Sequence, residues 1–199
     1  MKVIGLTGSI GMGKSAAASM LRVMKIPVFD SDACVHDLLS GRAVPLIREA
    51  FPQAWDARTK RIDRHRLGQI VFRNPKDRRT LESLLHPMVW QAQKDFIAAA
   101  RRAGKRLVVL DIPLLFETGS DRKCDQVICV TAPPFLQKTR VLRRPNMTED
   151  KFYAILRGQL DDRSKRNLSH HVIPTGLGRR VTFYHLKKLL RNLRTGKEI

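Results

Sequence analysis

The sequence predicts an α/β fold, a five-stranded parallel sheet with helices on both faces. Three observations carry that prediction. The chain opens on "GLTGSIGMGKS", set between an apolar β-branched run, "KVIGLT", and an alanine-rich run, "KSAAASMLRVM". Strand, glycine loop and helix in that order make a phosphate-binding βα unit. Further short apolar runs alternate with segments of helical spacing, the pattern of parallel strands joined by crossovers. The 199 residues, 43% of them hydrophobic, suffice for one full-sized domain with its own core.

Five strands are expected, at Lys2–Thr7, Pro27–Phe29, Arg106–Asp111, Gln126–Val130 and His171–Ile173. Between the second and third lies a long stretch without strand signal. It holds "PLIREAF", "RHRLGQIVF", "DRRTLESLL" and "PMVWQAQKDFIAAARRAG", each with apolar residues near helical spacing. This block, about 40–104, reads as a helical insertion closed by Gly104 as a C-cap. A second interruption, about 138–166, is polar and arginine-rich, and Thr148-Glu149 marks a helix start within it. A last helix, about Gly178 to Arg194, sets Val181, His185 and Leu189 on one face and basic residues on the other.

Bulk properties narrow the function classes. No apolar run is long enough for a bilayer, and the N-terminal apolar stretch runs into the glycine loop rather than into a cleavage site. Cys34, Cys124 and Cys129 form no C-x-x-C unit, so reduced thiols in a cytoplasmic protein are expected. The net charge of +20 favours anionic partners, either nucleic acid or phosphorylated small molecules. Two tryptophans and two tyrosines make a poor stacking surface, which weighs against nucleic acid. Nothing in the pattern specifies an oligomer.

Gly8, Gly13, Lys14 and Ser15 fit G-x-x-x-x-G-K-[ST]. In that motif backbone N–H groups cradle phosphates, the lysine reaches the outer ones and the serine hydroxyl helps hold Mg²⁺. "VFDSD" follows on the second strand, where extended geometry would set Val28, Asp30 and Asp32 on one side. Two carboxylates there would either hold Mg²⁺ or accept the proton of an attacking hydroxyl. Asp32 also suits an N-cap of the helix "ACVHDLL". Asp111 ends an apolar strand as a Walker-B aspartate does, with Mg²⁺ as its partner. Ile112 follows it, not the glutamate that motor ATPases use on water, and Glu117 stands too far on to substitute. Arg140 and Arg144 are spaced to share a helix face, either folding over phosphates or facing solvent. These residues fit a kinase for some small hydroxyl acceptor.

The ordered set "GLTGSIGMGKS", "VFDSDACVH", "IDRHRLGQIVF", "LHP", "LDIPLLFE", Gln137 with Arg140 and Arg144, and Gln159 resembles the dephospho-CoA kinase family, from Ile4 to about Gly176. The resemblance implies a P-loop kinase core of five parallel strands, a helical CoA-binding insertion and an arginine-bearing lid. It implies transfer of the ATP γ-phosphate to the ribose 3′-hydroxyl of 3′-dephospho-CoA, with Mg²⁺, giving ADP and coenzyme A. ATP contacts would come from Gly8, Gly11, Met12, Gly13, Lys14, Ser15 and Ala16. Asp32 matches the general base, Arg64 an arginine near the acceptor, and Arg140 the lid arginine on phosphate. His86, Pro113 and Leu114 fall in segments that line the acceptor pocket. The stretch Ser169–Gly176 departs from the family pattern near the expected adenine position, with histidine for an aspartate and Thr175 for an asparagine. The paired His170 and His171 point to opposite sides of a strand and read as structural.

Overall fold

The computed structural model describes residues 1–195. Its first half holds β1 (Lys2–Thr7), α1 (Lys14–Val23), β2 (Val28–Asp30), α2 (Ser31–Leu39), α3 (Val44–Ala50), β3 (Trp55–Asp56), β4 (Arg61–Ile62), α4 (Arg64–Arg73) and α5 (Pro75–Arg102). The second holds β5 (Leu107–Asp111), β6 (Gln126–Thr131), α6 (Pro134–Leu142), α7 (Glu149–Arg157), α8 (Asp162–Leu168), β7 (His171–Pro174) and α9 (Arg179–Thr195). Chain contacts divide these elements into two compact units, one of residues 1–29 with those from 99 onward, the other Asp30–Ala98.

The first unit carries a five-stranded sheet in the order β2-β5-β1-β6-β7. β1 sits at its centre, pairing parallel with β5 (Ile4 opposite Val109) and with β6 (Leu6 opposite Ile128). A strand paired on both edges and covered on both faces is mostly apolar, and all five residues of β5 are buried, the last of them Asp111. Ile4, Leu6, Val109, Ile128 and Val130 pack with Leu21 of α1 and Leu186, Leu189 and Leu190 of α9. The buried stripe of α9 thus runs through Leu186, Leu190 and Leu193, while Val181 and His185 lie at its half-exposed margin. Glu198, the one acidic residue after Arg163 in the sequence, lies outside the described residues. Because the strands are parallel, the loops after β1, β5, β6 and β7 all leave from one end of the sheet.

Two local departures from the expected elements have simple causes. β2 ends at Asp30, and the chain turns at once into α2, so Asp32 is helical and the shared strand face for Asp30 and Asp32 does not form. α6 ends at Leu142, leaving Arg144 beyond the helix. Pro145 follows, and the residue before a proline is pushed out of helical geometry. Gly104 closes α5 as expected: it takes a left-handed φ of 66°, and Lys105 N–H reaches back to Ala100 O at 3.0 Å.

The second unit is mainly helical around Leu38, Ile47, Phe51, Leu67, Leu85 and Val89. The last two predicted helical stretches are one helix, α5, with Pro87 inside it. Pro87 lacks the N–H that would reach Ser83, and both residues are exposed, so the freed carbonyl stays open to solvent. Leu85, Val89 and Gln93 keep one buried face continuous across it. A small antiparallel hairpin, β3–β4, also stands where no strand was expected. Its strands are two residues long, too short for periodicity, and its turn is built by Asp56, which accepts from Arg58 N, Thr59 N and Thr59 Oγ1.

Candidate active site

The loop from Gly8 to Gly13 follows the central strand and delivers the chain to the N-terminus of α1. Gly13 is the N-cap at φ 92°, with no side-chain cap, and α1 has no acid in its first turn. The first intrahelical bond runs from Ala17 N to Gly13 O at 3.0 Å. The N–H groups of Lys14, Ser15 and Ala16 therefore head the helix without helical partners, at its positive end. Glycine is required here twice over. A Cβ on Gly13 would sit 2.8 Å from Thr175 Oγ1, and one on Gly11 would sit 2.9 Å from Gln137 O, each at a positive φ.

Successive loop carbonyls are held from outside. Gln137 Nε2 donates to Ile10 O at 2.8 Å. Arg140 donates to Gly11 O at 3.3 Å, and Thr175 Oγ1 donates to Met12 O at 2.7 Å. In a planar trans peptide the N–H points opposite to the carbonyl, so drawing carbonyls outward turns N–H groups inward. Ser9 Oγ, in the same loop, is buried without a partner among the described residues, a polar group left for a ligand or water. The loop is thereby shaped to accept phosphate.

Lys14 extends from the head of α1 to the end of β5, where its Nζ lies 2.6 Å from Asp111 Oδ1. Their side chains are 14% and 3% exposed, so the pair is largely desolvated. Asp111 is thus the counter-ion of Lys14, with the carboxylate at the strand end where the sequence expected it.

The arginine-rich segment is tied to this loop. Besides Gly11 O, Arg140 donates to Thr175 O at 2.8 Å and Thr175 Oγ1 at 3.1 Å. Its guanidinium thus meets protein acceptors on the phosphate loop and on the residue after β7. Thr175, which stood out in the sequence only as a departure, joins Met12, Thr131 and Arg140. Gln159 Oε1 accepts from Ile10 N at 3.0 Å. After β5, Pro113 O receives Thr7 Oγ1 at 3.1 Å and the wholly buried Lys165 at 3.2 Å, and Leu114 is exposed. Lys165 also pairs with Glu117 at 2.9 Å, and Glu117 takes the N–H of Leu160 at 2.8 Å. Glu117 is therefore a structural anchor. His170 Nδ1 accepts from Val127 N, and His171 Nε2 meets Gln126 Oε1 across the strands, so each has a structural partner on β6. Burial pushes the thiols of Cys124 and Cys129 up to about 12 and about 11, and all three cysteines are free.

In the second unit Asp30, not Asp32, caps α2, its carboxylate accepting from Ala33 N at 3.0 Å. Asp32 stands exposed in the first turn. His36 lies one turn further along α2, and its Nδ1 meets Arg64 Nη1. Asp63 caps α4 through His65 N and Arg66 N and so fixes where Arg64 starts that helix. His86 sits on α5 with its ring 5.8 Å from that of Trp90. α2 and α4 thus bring His36 and Arg64 together, with Asp32 one turn before His36 on α2. Among the described residues no group of three or more His, Cys, Asp or Glu side chains is arranged to hold a metal. No helix among them is long and apolar enough to cross a membrane.

The dephospho-CoA kinase family profile matches residues 2–176. A protein from Paramagnetospirillum magneticum described as dephospho-CoA kinase is 51% identical over 168 residues, 83% of this chain and 78% of the relative. One from Agrobacterium fabrum with the same description is 43% identical across 97% of this chain and 98% of its own. The solved dephospho-CoA kinase of Campylobacter jejuni superposes with a TM-score of 0.74 at 24% identity, covering 98% of both chains, which establishes the shared fold.

Proposed function

The chain belongs to the dephospho-CoA kinase family, and we propose that two clusters of its residues divide the work of that reaction. The reaction moves the γ-phosphate of ATP to the ribose 3′-hydroxyl of 3′-dephospho-CoA, giving coenzyme A and ADP. The observation that carries the assignment of ATP is the loop itself: carbonyls of Ile10, Gly11 and Met12 tied outward, and an uncapped helix start bearing Lys14.

On this reading Gly8, Gly11, Gly13, Lys14, Ser15 and Ala16 bind the phosphates, and Met12, whose N–H goes to Ser9 O and whose carbonyl goes to Thr175 Oγ1, holds the loop's shape around them. Lys14 exchanges Asp111 for the outer phosphates and offsets charge that develops on transfer. Ser15 suits one position on Mg²⁺, being exposed at the helix start, and phosphate oxygens supply others. Asp111 already faces an ammonium and would reach the ion only through water. When bound, the ion neutralises phosphate oxygens.

Asp32 takes the proton of the 3′-hydroxyl, and Arg64 grips the anionic acceptor while His36 steadies it. The helical insertion, about 40–104, with His86, and the loop bearing Pro113 and Leu114 bind the rest of dephospho-CoA. Arg140, expected from the sequence on phosphate, shapes the loop by holding Gly11 and Thr175. Residues of about 138–166 form the lid. Free thiols raised by burial support a reducing compartment, the cytoplasm.

The test is incubation with ATP, Mg²⁺ and dephospho-CoA, with coenzyme A identified by mass. Turnover of ATP that ignores dephospho-CoA but answers to another acceptor would overturn the assignment.

A further inference from the structure

Both backbone polar groups of one loop residue, Ile10, are taken by glutamine side chains from the segment that follows β6. Gln159 Oε1 accepts the N–H at 3.0 Å, and Gln137 Nε2 donates to the carbonyl at 2.8 Å. Gln137 is buried on α6, 6% exposed. Gln159 follows the end of α7, and the residue after it is fixed by Leu160 N donating to Glu117. We propose that Gln137 and Gln159 are positioning residues that set the phosphate loop from the start of the lid and from within it, and so govern ATP affinity. The proposal rests on the kinase reading above.

The chemistry fixes the sense of each contact. A carbonyl can be met only by a donor and an N–H only by an acceptor, so the two amides work in opposite directions. With Ile10 O drawn to Gln137, the N–H of Gly11 turns to the other side of the peptide, into the loop. With Ile10 N–H held by Gln159, that donor points away from the phosphates, which are left to Gly11, Gly13 and the start of α1. The loop thus receives phosphate without first reorganising its dipoles. Neither glutamine needs to touch the nucleotide.

Opposite roles give opposite orders of substitution. Methionine keeps the length of glutamine and removes both polar ends; glutamate keeps only acceptors. At 159, Gln159→Glu should bind ATP better than Gln159→Met, because the Ile10 N–H keeps its partner. At 137 the order should reverse, since Gln137→Glu sets a carboxylate against a carbonyl oxygen. Calorimetry of ATP binding, which needs no acceptor, should show roughly 3- to 10-fold weaker affinity for each methionine variant, the value of one hydrogen bond. The KM for dephospho-CoA should stay unchanged, and melting curves establish that each variant is folded. Should Gln137→Glu not fold, Gln137→Met carries that position on its own, with weakened ATP affinity as the expected result. If Gln159→Glu binds more weakly than Gln159→Met, that amide donates to phosphate and the proposal is wrong. It is also wrong if the methionine variants bind ATP as the unsubstituted protein does. Failure of the unsubstituted protein to make coenzyme A while still binding ATP would overturn the acceptor assignment and leave these affinities to decide the clamp.

Discussion

Lys14 Nζ lies 2.6 Å from Asp111 Oδ1, joining the start of α1 to the end of the fully buried strand β5. The same ammonium therefore has two duties, to neutralise a buried carboxylate and to meet phosphate. We expect Lys14→Ala to lower transfer by about 10²–10³-fold, the cost of deleting one strong electrostatic contact. It should also destabilise the protein, because Asp111 loses its cation. A second change, Asp111→Asn in the Lys14→Ala background, should restore the melting temperature without restoring activity. Recovery of both, or of neither, would show that the two duties are not separable in this way.

How much of this was legible in the sequence depends on the range of the contact. The five strands were visible because each is a local apolar run, and the loop because its spacing is fixed by the phosphate it cradles. Asp30 and Asp32 were harder, since a three-residue strand passing directly into a helix leaves no periodicity to separate them. The stretches "DRRTLESLL" and "PMVWQAQKDFIAAARRAG" stood apart in the sequence, and the buried Leu85–Val89–Gln93 face joins them through Pro87. The partners of the loop were out of reach: Gln137, Gln159 and Thr175 lie 127, 149 and 163 residues from the backbone groups they hold. Local pattern carries no such information. Gln137 and Gln159 stood out only as members of a family motif, without a role.

Arg140 donates to Gly11 O, Thr175 O and Thr175 Oγ1. A lysine there keeps the charge but cannot span a planar fork. We expect Arg140→Lys to raise the KM for ATP by roughly tenfold, the value of one to two hydrogen bonds, and to leave the KM for dephospho-CoA unchanged. An Arg140→Lys enzyme with normal ATP kinetics would mean that charge alone is required. Arg64→Ala should show the converse pattern, with the acceptor KM rising and that of ATP unchanged.

Lys165 is wholly buried between Glu117 and Pro113 O. Removing one partner of a buried pair costs about 3–5 kcal/mol, because the other is left uncompensated. For a chain of this length that corresponds to roughly 6–12 °C or more in melting temperature. Lys165→Ala should show such a loss by differential scanning, whereas Lys138→Ala, at an exposed pair with Glu149, should shift it by no more than a degree or two. Equal shifts would contradict the burial argument.

Burial raises the Cys124 and Cys129 thiols to about 12 and about 11. An unfolded thiol titrates near 8.5, so below that pH both states hold the proton and stability is unaffected. Above it the unfolded chain ionises while the folded chain does not, and stability falls as pH rises from about 8.5 towards about 12. Melting temperature measured across pH 8 to 10.5 should decline, and Cys124→Ala with Cys129→Ala should flatten part of the decline. Rapid reaction of both thiols with a disulfide reagent at neutral pH in the folded protein would contradict the shift.

Asp30 and Asp32 divide capping from chemistry. Asp30 takes the Ala33 N–H at 3.0 Å, so Asp30→Ala should cost about 1 kcal/mol of stability, the usual worth of an N-cap. Asp32 caps nothing in α2; it stands exposed in the first turn, a position where a negative charge is worth about 0.3–1 kcal/mol. Asp32→Asn keeps the size and removes the basicity. A 3′-hydroxyl is a poor nucleophile whose proton must leave as the bond to phosphorus forms, and a positioned base contributes about 10²–10⁴-fold. We therefore expect Asp32→Asn to bind ATP normally, to melt within a degree or two of the unsubstituted protein, and to lose transfer by at least 100-fold. Asp30→Asn should retain both its cap and its activity, because the amide oxygen still accepts from Ala33. If Asp30→Asn is inactive and Asp32→Asn turns over normally, the base is the capping carboxylate, and Asp32 is only a favourable charge at the head of α2.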